Sequence, residues 1–467
     1  MGVNNCPGCL EKQRRIDALQ EEIVRLKSKL RYQKRKAEEG FFGSSTPSSK
    51  RPVKPNTEAM KQKKPRGARP GHKGAGRKWF DEAEADRVVE VSGALPQLCP
   101  DCGAALEDKG FVRRNVLESQ PLKAERVLYL LGKRYCEHCQ RTFQAEAPSL
   151  LPKSLYGNQL IANATAMHYL HGIPMGRVCE QIGIGAGSLV EILHRLARLL
   201  GTVPERLIEE YRAAPVKHAD ETGWRTDGKN GYAWLFATDR ISIFQFRTTR
   251  SARVPKAVFG EKRLPGVLVV DRYAGYNKMP CAIQYCYEHL QREVEDLEKE
   301  FPDSEEVKTF VSTLVPLLSL AMNLRTQDIS DTEFYRQASR VKSKILLAVN
   351  SPANHPGIQH IQDIFREHTD RMYHWATDRQ IPAENNLAER DLRPTVIARK
   401  VSFGSASDAG AHTRGVLMSV MQTLKKQGVD ATSHLKHVLD ELARNMNQDP
   451  FPLLFPETLP HRRSPHG

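Results

Sequence analysis

Apolar residues recur near the start of the chain at alternating spacings of three and four: Ile16, Leu19, Ile23, Leu26 and Leu30, with mostly charged and amide residues between them. Ile at position a and Leu at position d of such a heptad favour parallel two-stranded coils. The seam predicts a coiled-coil dimerisation helix within residues 1–39, with an amphipathic helix packed on the body as the alternative. The period then stops. Residues 40–80, rich in Gly, Ser, Pro and Lys, predict a basic flexible linker. Further on, β-branched and aromatic runs predict strands at Val216–Asp220, Tyr232–Thr238, Ile241–Arg247 and Val267–Asp271, and another within Ala282–Tyr287.

Ahead of those strands lies a helical region, residues 153–204. Helices are expected at Met175–Ile182 and Ser188–Leu200, separated by a turn at Gly183–Gly187, with Ser188 as N-cap and Glu191 completing a capping box. Short helix, glycine turn and longer helix form a helix-turn-helix pattern suited to DNA. A helical hairpin joining two domains fits the same pattern. Residues 413–467 predict C-terminal helices, in which Leu435, Val438, Leu439 and Leu442 make a stripe for docking on the core. From Pro450 onward a mobile, Pro-rich tail is expected.

Charge changes the picture. The 467 residues carry a net +15. Residues 1–78 hold 21 Lys/Arg against 7 Asp/Glu, so nearly all of the excess sits in the first sixth of the chain. A basic arm on a balanced body points to a polyanion. Lys63, Lys64, Arg66, Arg69, Lys73, Arg77 and Lys78 are its candidate phosphate contacts. Residues 81–152 contain Cys99-Pro-Asp-Cys102-Gly and Cys136-Glu-His-Cys139. Two such turns can present four thiolates to one tetrahedral Zn2+, which leaves no open position for catalysis. A structural zinc ribbon is expected, and Cys6 and Cys9 form a further pair of open role. Without an apolar leader or a long apolar run, a cytoplasmic, nucleoid-associated protein is expected, with no membrane partner.

Candidate chemistry lies in three acidic clusters: His218-Ala-Asp220-Glu-Thr-Gly-Trp224, Val270-Asp271-Arg-Tyr-Ala-Gly-Tyr276 and Asn385-Asn-Leu-Ala-Glu389-Arg-Asp-Leu-Arg393. Three antiparallel strands followed by a crossover to a strand ending in Asp is the order of a ribonuclease H-like mixed sheet. Asp220 and Asp271 would then lie on neighbouring strands and could share a cation. Glu389, on an arginine-rich helix, is the candidate third acid, with Glu384 and Asp391 as alternatives. Oxygen ligands of this kind suit Mg2+ or Mn2+. Arg390, Arg393, Arg399, Lys400, Lys217 and His218 are candidate phosphate contacts. Trp224 is read either as a base-stacking residue or as core.

These motifs together resemble the bacterial insertion-sequence-66 transposases: a short zipper, a basic G-H-K-G arm, C-P-x-C-G, D-E-T-G-W, V-D-R-Y-A-G-Y, N-N-L-A-E-R-D-L-R-P and R-K-V-S-F-G-S, over roughly residues 1–450. The resemblance implies a DDE transposase with Asp220, Asp271 and Glu389 as its triad. It implies a catalytic domain at 205–412 with a helical insertion at about 290–380, which Glu293–Glu300, Val307–Leu324 and Thr332–Val349 fit as helices. It also implies binding of transposon ends and target as double-stranded DNA, metal-dependent cleavage and strand transfer, a homodimer or larger assembly, and accessory proteins of the same element. A transposon-derived DNA-binding protein that no longer cuts is the alternative.

Overall fold

The computed structural model describes residues 7–39, 83–84, 88, 124–136, 141–144, 147 and 150–456. The chain divides into two compact units, Met1–Arg51 with Ala124–Gly467, and Pro52–Lys123. The architecture below is that of the first. Cys6, Cys99, Cys102 and Cys139 lie outside the described residues, as do Lys63, Lys64, Arg66, Arg69, Lys73, Arg77 and Lys78.

Helix α1 (Pro7–Glu39) contains the heptad seam, and Ile16, Leu19, Ile23, Leu26 and Leu30 are all exposed. Strands β1 (Lys133–Cys136) and β2 (Arg141–Gln144) flank the second cysteine pair and run antiparallel. The helical region follows as α2 (Asn158–Thr165), extended by a π-helical turn at Ala166–Leu170, then α3 (Met175–Ile182), α4 (Ala186–Leu199) and α5 (Val203–Ala213). The break between α3 and α4 falls where the glycines predict it, because Gly183 takes the left-handed conformation that ends α3. Ser188 is not the cap, however. Gly185 is extended and α4 starts two residues before Ser188.

The central sheet has five strands: β3 (Val216–Thr226), β4 (Lys229–Ala237), β5 (Ser242–Arg247), β6 (Val267–Val270) and β7 (Ala282–Tyr285), in the order β5-β4-β3-β6-β7. β3, β4 and β5 are antiparallel neighbours, whereas β6 pairs parallel with β3 and β7 parallel with β6. The crossover into β6 passes through α6 (Arg253–Phe259). This is the strand order expected from the sequence, with β3 longer than expected. It continues past Asp220 to a tight hairpin at Asp227-Gly228, both at positive φ, a turn that matches the twist of paired strands.

After β7 come α7 (Tyr287–Glu300), α8 (Glu305–Leu324), α9 (Asp331–Asn350), α10 (Pro356–Glu367) and the single turn α11 (His374–Thr377), helices in the stretch where the resemblance implies a helical insertion. By length and composition α8 could cross a membrane, yet Val307, Leu314, Leu318 and Leu324 are buried among its neighbours. The chain then returns to the sheet as α12 (Asn386–Ser402) and closes with α13 (Asp408–Lys426), α14 (Ala431–Arg444) and α15 (Pro450–Leu454). Leu435, Val438, Leu439 and Leu442 are fully buried, as their stripe predicts. The expectation of a mobile tail from Pro450 fails at its start. Asp449 caps α15, and Phe451 and Leu454 are buried.

Candidate active site

Parallel pairing sets the first relationship. Val216, Lys217 and His218 of β3 lie opposite Val267, Leu268 and Val269 of β6. The same offset carried two residues on brings Asp220 level with Asp271, just past the end of β6. Each carboxyl is oriented locally. An Asp220 oxygen accepts the Glu221 N–H at 2.8 Å, and an Asp271 oxygen accepts the Tyr273 N–H at 3.0 Å in an Asx turn.

Glu389 reaches this edge because α12 is fastened along β3 in three places. At its start, Asn385 donates from Nδ2 to the Ala219 carbonyl (2.9 Å). Its Oδ1 therefore faces the His218 ring and accepts from Nδ1 at 2.8 Å. Burial holds the His218 pKa down at about 4, so the ring is neutral and that nitrogen carries the proton. In the last turn of α12, Arg399 donates to the Thr222 hydroxyl (3.1 Å) and the Gly223 carbonyl (2.5 Å). Beyond its end, the Ser405 N–H donates to the Arg225 carbonyl and the Asp227 N–H to the Ser405 carbonyl, both at 2.9 Å. Glu389, in the first turn, is mostly buried and lies 4.0 Å from the Arg292 guanidinium.

The three acids share one electrostatic field. Burial first, then the negative charges of Glu221, Asp271 and Glu389, hold the Asp220 carboxyl well above the usual range. Burial and then Glu221 push Asp271 up to about 7, with Arg250 and Arg272 acting in the opposite direction. As these side chains stand, no group of three or more His, Cys, Asp or Glu side chains among the described residues is close enough to hold a metal ion. One Asp220 oxygen is turned to its neighbour's N–H.

A second layer, buried at Glu221, Arg250 and Tyr276, supports the first. Glu221 points to the opposite face of β3 from Asp220. Arg250 donates to its Oε1 through Nε (2.8 Å) and Nη2 (2.5 Å), and the Tyr276 hydroxyl donates to Oε2 (2.6 Å). The Arg250 guanidinium lies 4.0 Å over the Tyr273 ring, whose hydroxyl donates to the Arg250 carbonyl. A Cβ at Gly275 would sit 2.3 Å from that ring, so the Tyr-Ala-Gly-Tyr run is shaped by packing. Arg272 pairs with Glu293 of α7.

Several expected phosphate contacts have other work. Lys217 is buried and donates to the Ala214 and Pro265 carbonyls (2.5 and 2.6 Å), and His218 is buried against Asn385, so neither can reach DNA. Trp224 is core. It packs on Phe246 with ring centroids 5.0 Å apart, and Arg414 lies over its ring, which excludes stacking on a base. Asp391 pairs with Lys426 and accepts from Ser242 Oγ at 2.6 Å, which commits it to the β5 side of α12. Arg399 fastens the last turn of α12 to β3. Arg390, Arg393 and Lys400 are exposed. Sequence reasoning missed the roles of Glu221 and Asn385, which lie within its motifs, and of Arg250, which lies outside them; all three act through contacts distant along the chain.

Residues 153–413 match the family described as "Transposase IS66 family". Three proteins of Sinorhizobium fredii (strain NBRC 101917 / NGR234) are similar to the chain over most of its length. Uncharacterized protein y4qI is 24% identical over 415 residues, covering 80% of this chain and 76% of its own. Uncharacterized protein y4jD is 24% identical over 396 residues, covering 76% of each. Uncharacterized protein y4hP is 22% identical over 430 residues, covering 78% and 73% respectively. The match begins at the helical region and runs through the sheet, the insertion, α12 and the start of α13. It takes in more than half of the residues, and the chain belongs to the IS66 transposase family.

Proposed function

We propose that this protein is a DDE transposase that binds the ends of its element, cleaves phosphodiester bonds and joins the freed ends to target DNA. The observation that carries the reading is the alignment of Asp220 with Asp271 across β3 and β6 beside the first turn of α12, which bears Glu389; there burial first, then Glu221, Asp271 and Glu389, hold the Asp220 carboxyl above its ordinary range. Buried carboxylates that raise one another's pKa need protons or cations. Hard oxygen donors of this kind fit Mg2+ or Mn2+. When bound, such ions stabilise charge on phosphoryl oxygens and make a bound water more acidic. The chain's own part is to hold three ionised acids on a strand, a strand end and a helix. Arg390, Arg393 and Lys400 hold the phosphates beside them. The basic arm (Lys63, Lys64, Arg66, Arg69, Lys73, Arg77, Lys78) adds grip that is independent of sequence.

Two further elements complete the reading. Cys99, Cys102, Cys136 and Cys139 bind one structural Zn2+, supported by the β1–β2 pair that brackets the second knuckle. The exposed seam of α1 pairs with a second copy, so that two ends can be held together. Incubation of the full chain with a duplex carrying the element's terminal sequence and Mg2+ tests the central claim. Cleavage lost in Asp220→Ala, Asp271→Ala and Glu389→Ala, with binding retained, is the expected result. Binding without cleavage by the unaltered protein under any divalent metal means a DNA-binding protein that no longer cuts.

A further inference from the structure

One aromatic residue is placed against every packing rule. Phe403, immediately after α12, is 78% exposed and sits at φ +60°, ψ −15°. A helix end in this conformation is ordinarily made by Gly or Asn, and a side chain of this size there is strained. The strain is held in place. The Phe403 N–H donates to the Arg399 carbonyl at 2.9 Å. The next residue, Gly404, lies so close to β3 that a Cβ would meet the Arg225 carbonyl oxygen at 2.2 Å, and Ser405 Oγ accepts from the Trp224 indole at 3.2 Å. A rigid support therefore presents an apolar ring to solvent, a combination that marks a residue kept for function.

Its surroundings suggest what it meets. Glu389, Arg393 and Lys400, spaced by four and seven residues, share one stripe of α12. The acids on this helix are occupied, Glu389 at the acidic centre and Asp391 with Lys426. Arg390, Arg393 and Lys400 are exposed, as are Ile397 and Val401. A ridge of positive charge thus starts at the acidic centre and ends at an exposed ring. At about 1.5 Å per residue, Phe403 stands roughly 20 Å along α12 from Glu389. That is about six base-pair steps of duplex at ~3.4 Å each.

We infer that Phe403 stacks against a base of bound duplex DNA about six base pairs from the acidic centre, while Arg393 and Lys400 hold the intervening phosphates. A phenyl ring has no hydrogen-bonding group, so the contact tolerates any sequence and acts by wedging a base step. This rests on the reading of the chain as a DNA-cleaving transposase, but its test needs no cleavage.

Binding of the full-length protein to a 30-base-pair duplex of arbitrary sequence, followed by fluorescence anisotropy across a range of salt, separates the contributions. Phe403→Ala weakens binding about tenfold with an unchanged salt slope, whereas Arg393→Ala lowers the slope by about one. Phe403→Gly raises the melting temperature, because the left-handed strain is relieved, and still loses affinity. Wild-type affinity in both Phe403 variants overturns the inference. So does an oligomeric state that changes on sizing while affinity does not, which would make the ring a protein–protein contact. Asp220→Asn should abolish cleavage and keep the Phe403-dependent binding. If that variant still cuts, the triad falls and the role of Phe403 stands.

Discussion

Glu221 and Arg250 form a buried two-pronged ion pair on the face of β3 opposite Asp220, closed by the Tyr276 hydroxyl and roofed by the Tyr273 ring. Both groups lie out of water. Their mutual attraction offsets a desolvation cost that neither could bear alone. Removing one partner should therefore be severe. Arg250→Met is expected to cost about 3–5 kcal/mol of unfolding free energy. It should also raise Asp271 further, because Arg250 is one of the groups holding that carboxyl down. Urea unfolding of the single variants and of Glu221→Leu with Arg250→Met gives the check. The double variant should recover much of the loss, and equal losses in all three would refute the pairing argument.

The acidic centre should make the metal-free fold sensitive to pH. An unfolded aspartate titrates near 3.9, and folded Asp271 at about 7. Between those values the folded state retains a proton that the unfolded state has released. Stability therefore falls as pH rises from about 4 to about 7. Asp271→Asn removes the penalty, on the order of 2–4 kcal/mol at pH 8. Its melting temperature should exceed wild type at pH 8 and converge with it near pH 4. Mg2+ should raise the wild-type melting temperature at pH 8 and leave Asp271→Asn nearly unmoved. A variant less stable than wild type at pH 8, measured by scanning calorimetry, would contradict the assignment.

Asn385 is the joint between the strand bearing Asp220 and the helix bearing Glu389. Asn385→Ala leaves the His218 Nδ1–H and the Ala219 carbonyl buried without their partner, at about 1–3 kcal/mol for each group. The larger consequence is expected at the site. Glu389 loses its register, so DNA cleavage should fall by about two orders of magnitude, consistent with the cost of a misplaced reacting group. DNA affinity should not change. A merely structural role would leave the Mg2+ concentration for half-maximal cleavage unaltered, whereas a joint predicts that it rises. In Asn385→Asp the new carboxylate should raise the His218 pKa from about 4, visible by NMR titration of the ring.

The sheet order was legible because its strands announce themselves by β-branched and aromatic runs, whereas the helices between Asp271 and Glu389 were expected from the family resemblance. Asp220 and Asp271 were legible together because both sit where strands of one sheet end or align. What escaped was long-range pairing. Nothing local distinguishes Glu221 from an ordinary surface acid until Arg250, 29 residues away, is seen against it. The link from Asn385 to His218 spans 167 residues. Lys217 misled for the converse reason. A lysine beside an acidic motif reads as a cation for phosphate, and only the fold reveals the two carbonyls that it caps. β3 also outran its apolar run, because the Asp227-Gly228 hairpin extends the pairing through Glu221–Thr226.

Helix α1 presents Ile16, Leu19, Ile23, Leu26 and Leu30 to solvent along one seam. An isolated helix of this composition gains little from propensity alone, and the proposed pairing would bury this seam against an identical one. Leu19→Asp with Leu26→Asp places charge at two d positions and should convert a dimer to a monomer by light scattering at micromolar concentration. Since the acidic centre lies on β3, β6 and α12, the monomer should still cleave a single end. Joining of two ends to one target should be lost, because that step needs both ends held at once. Retention of the dimer in the double variant would assign self-association to another surface. Loss of single-end cleavage together with the dimer would mean that the partner copy completes the site.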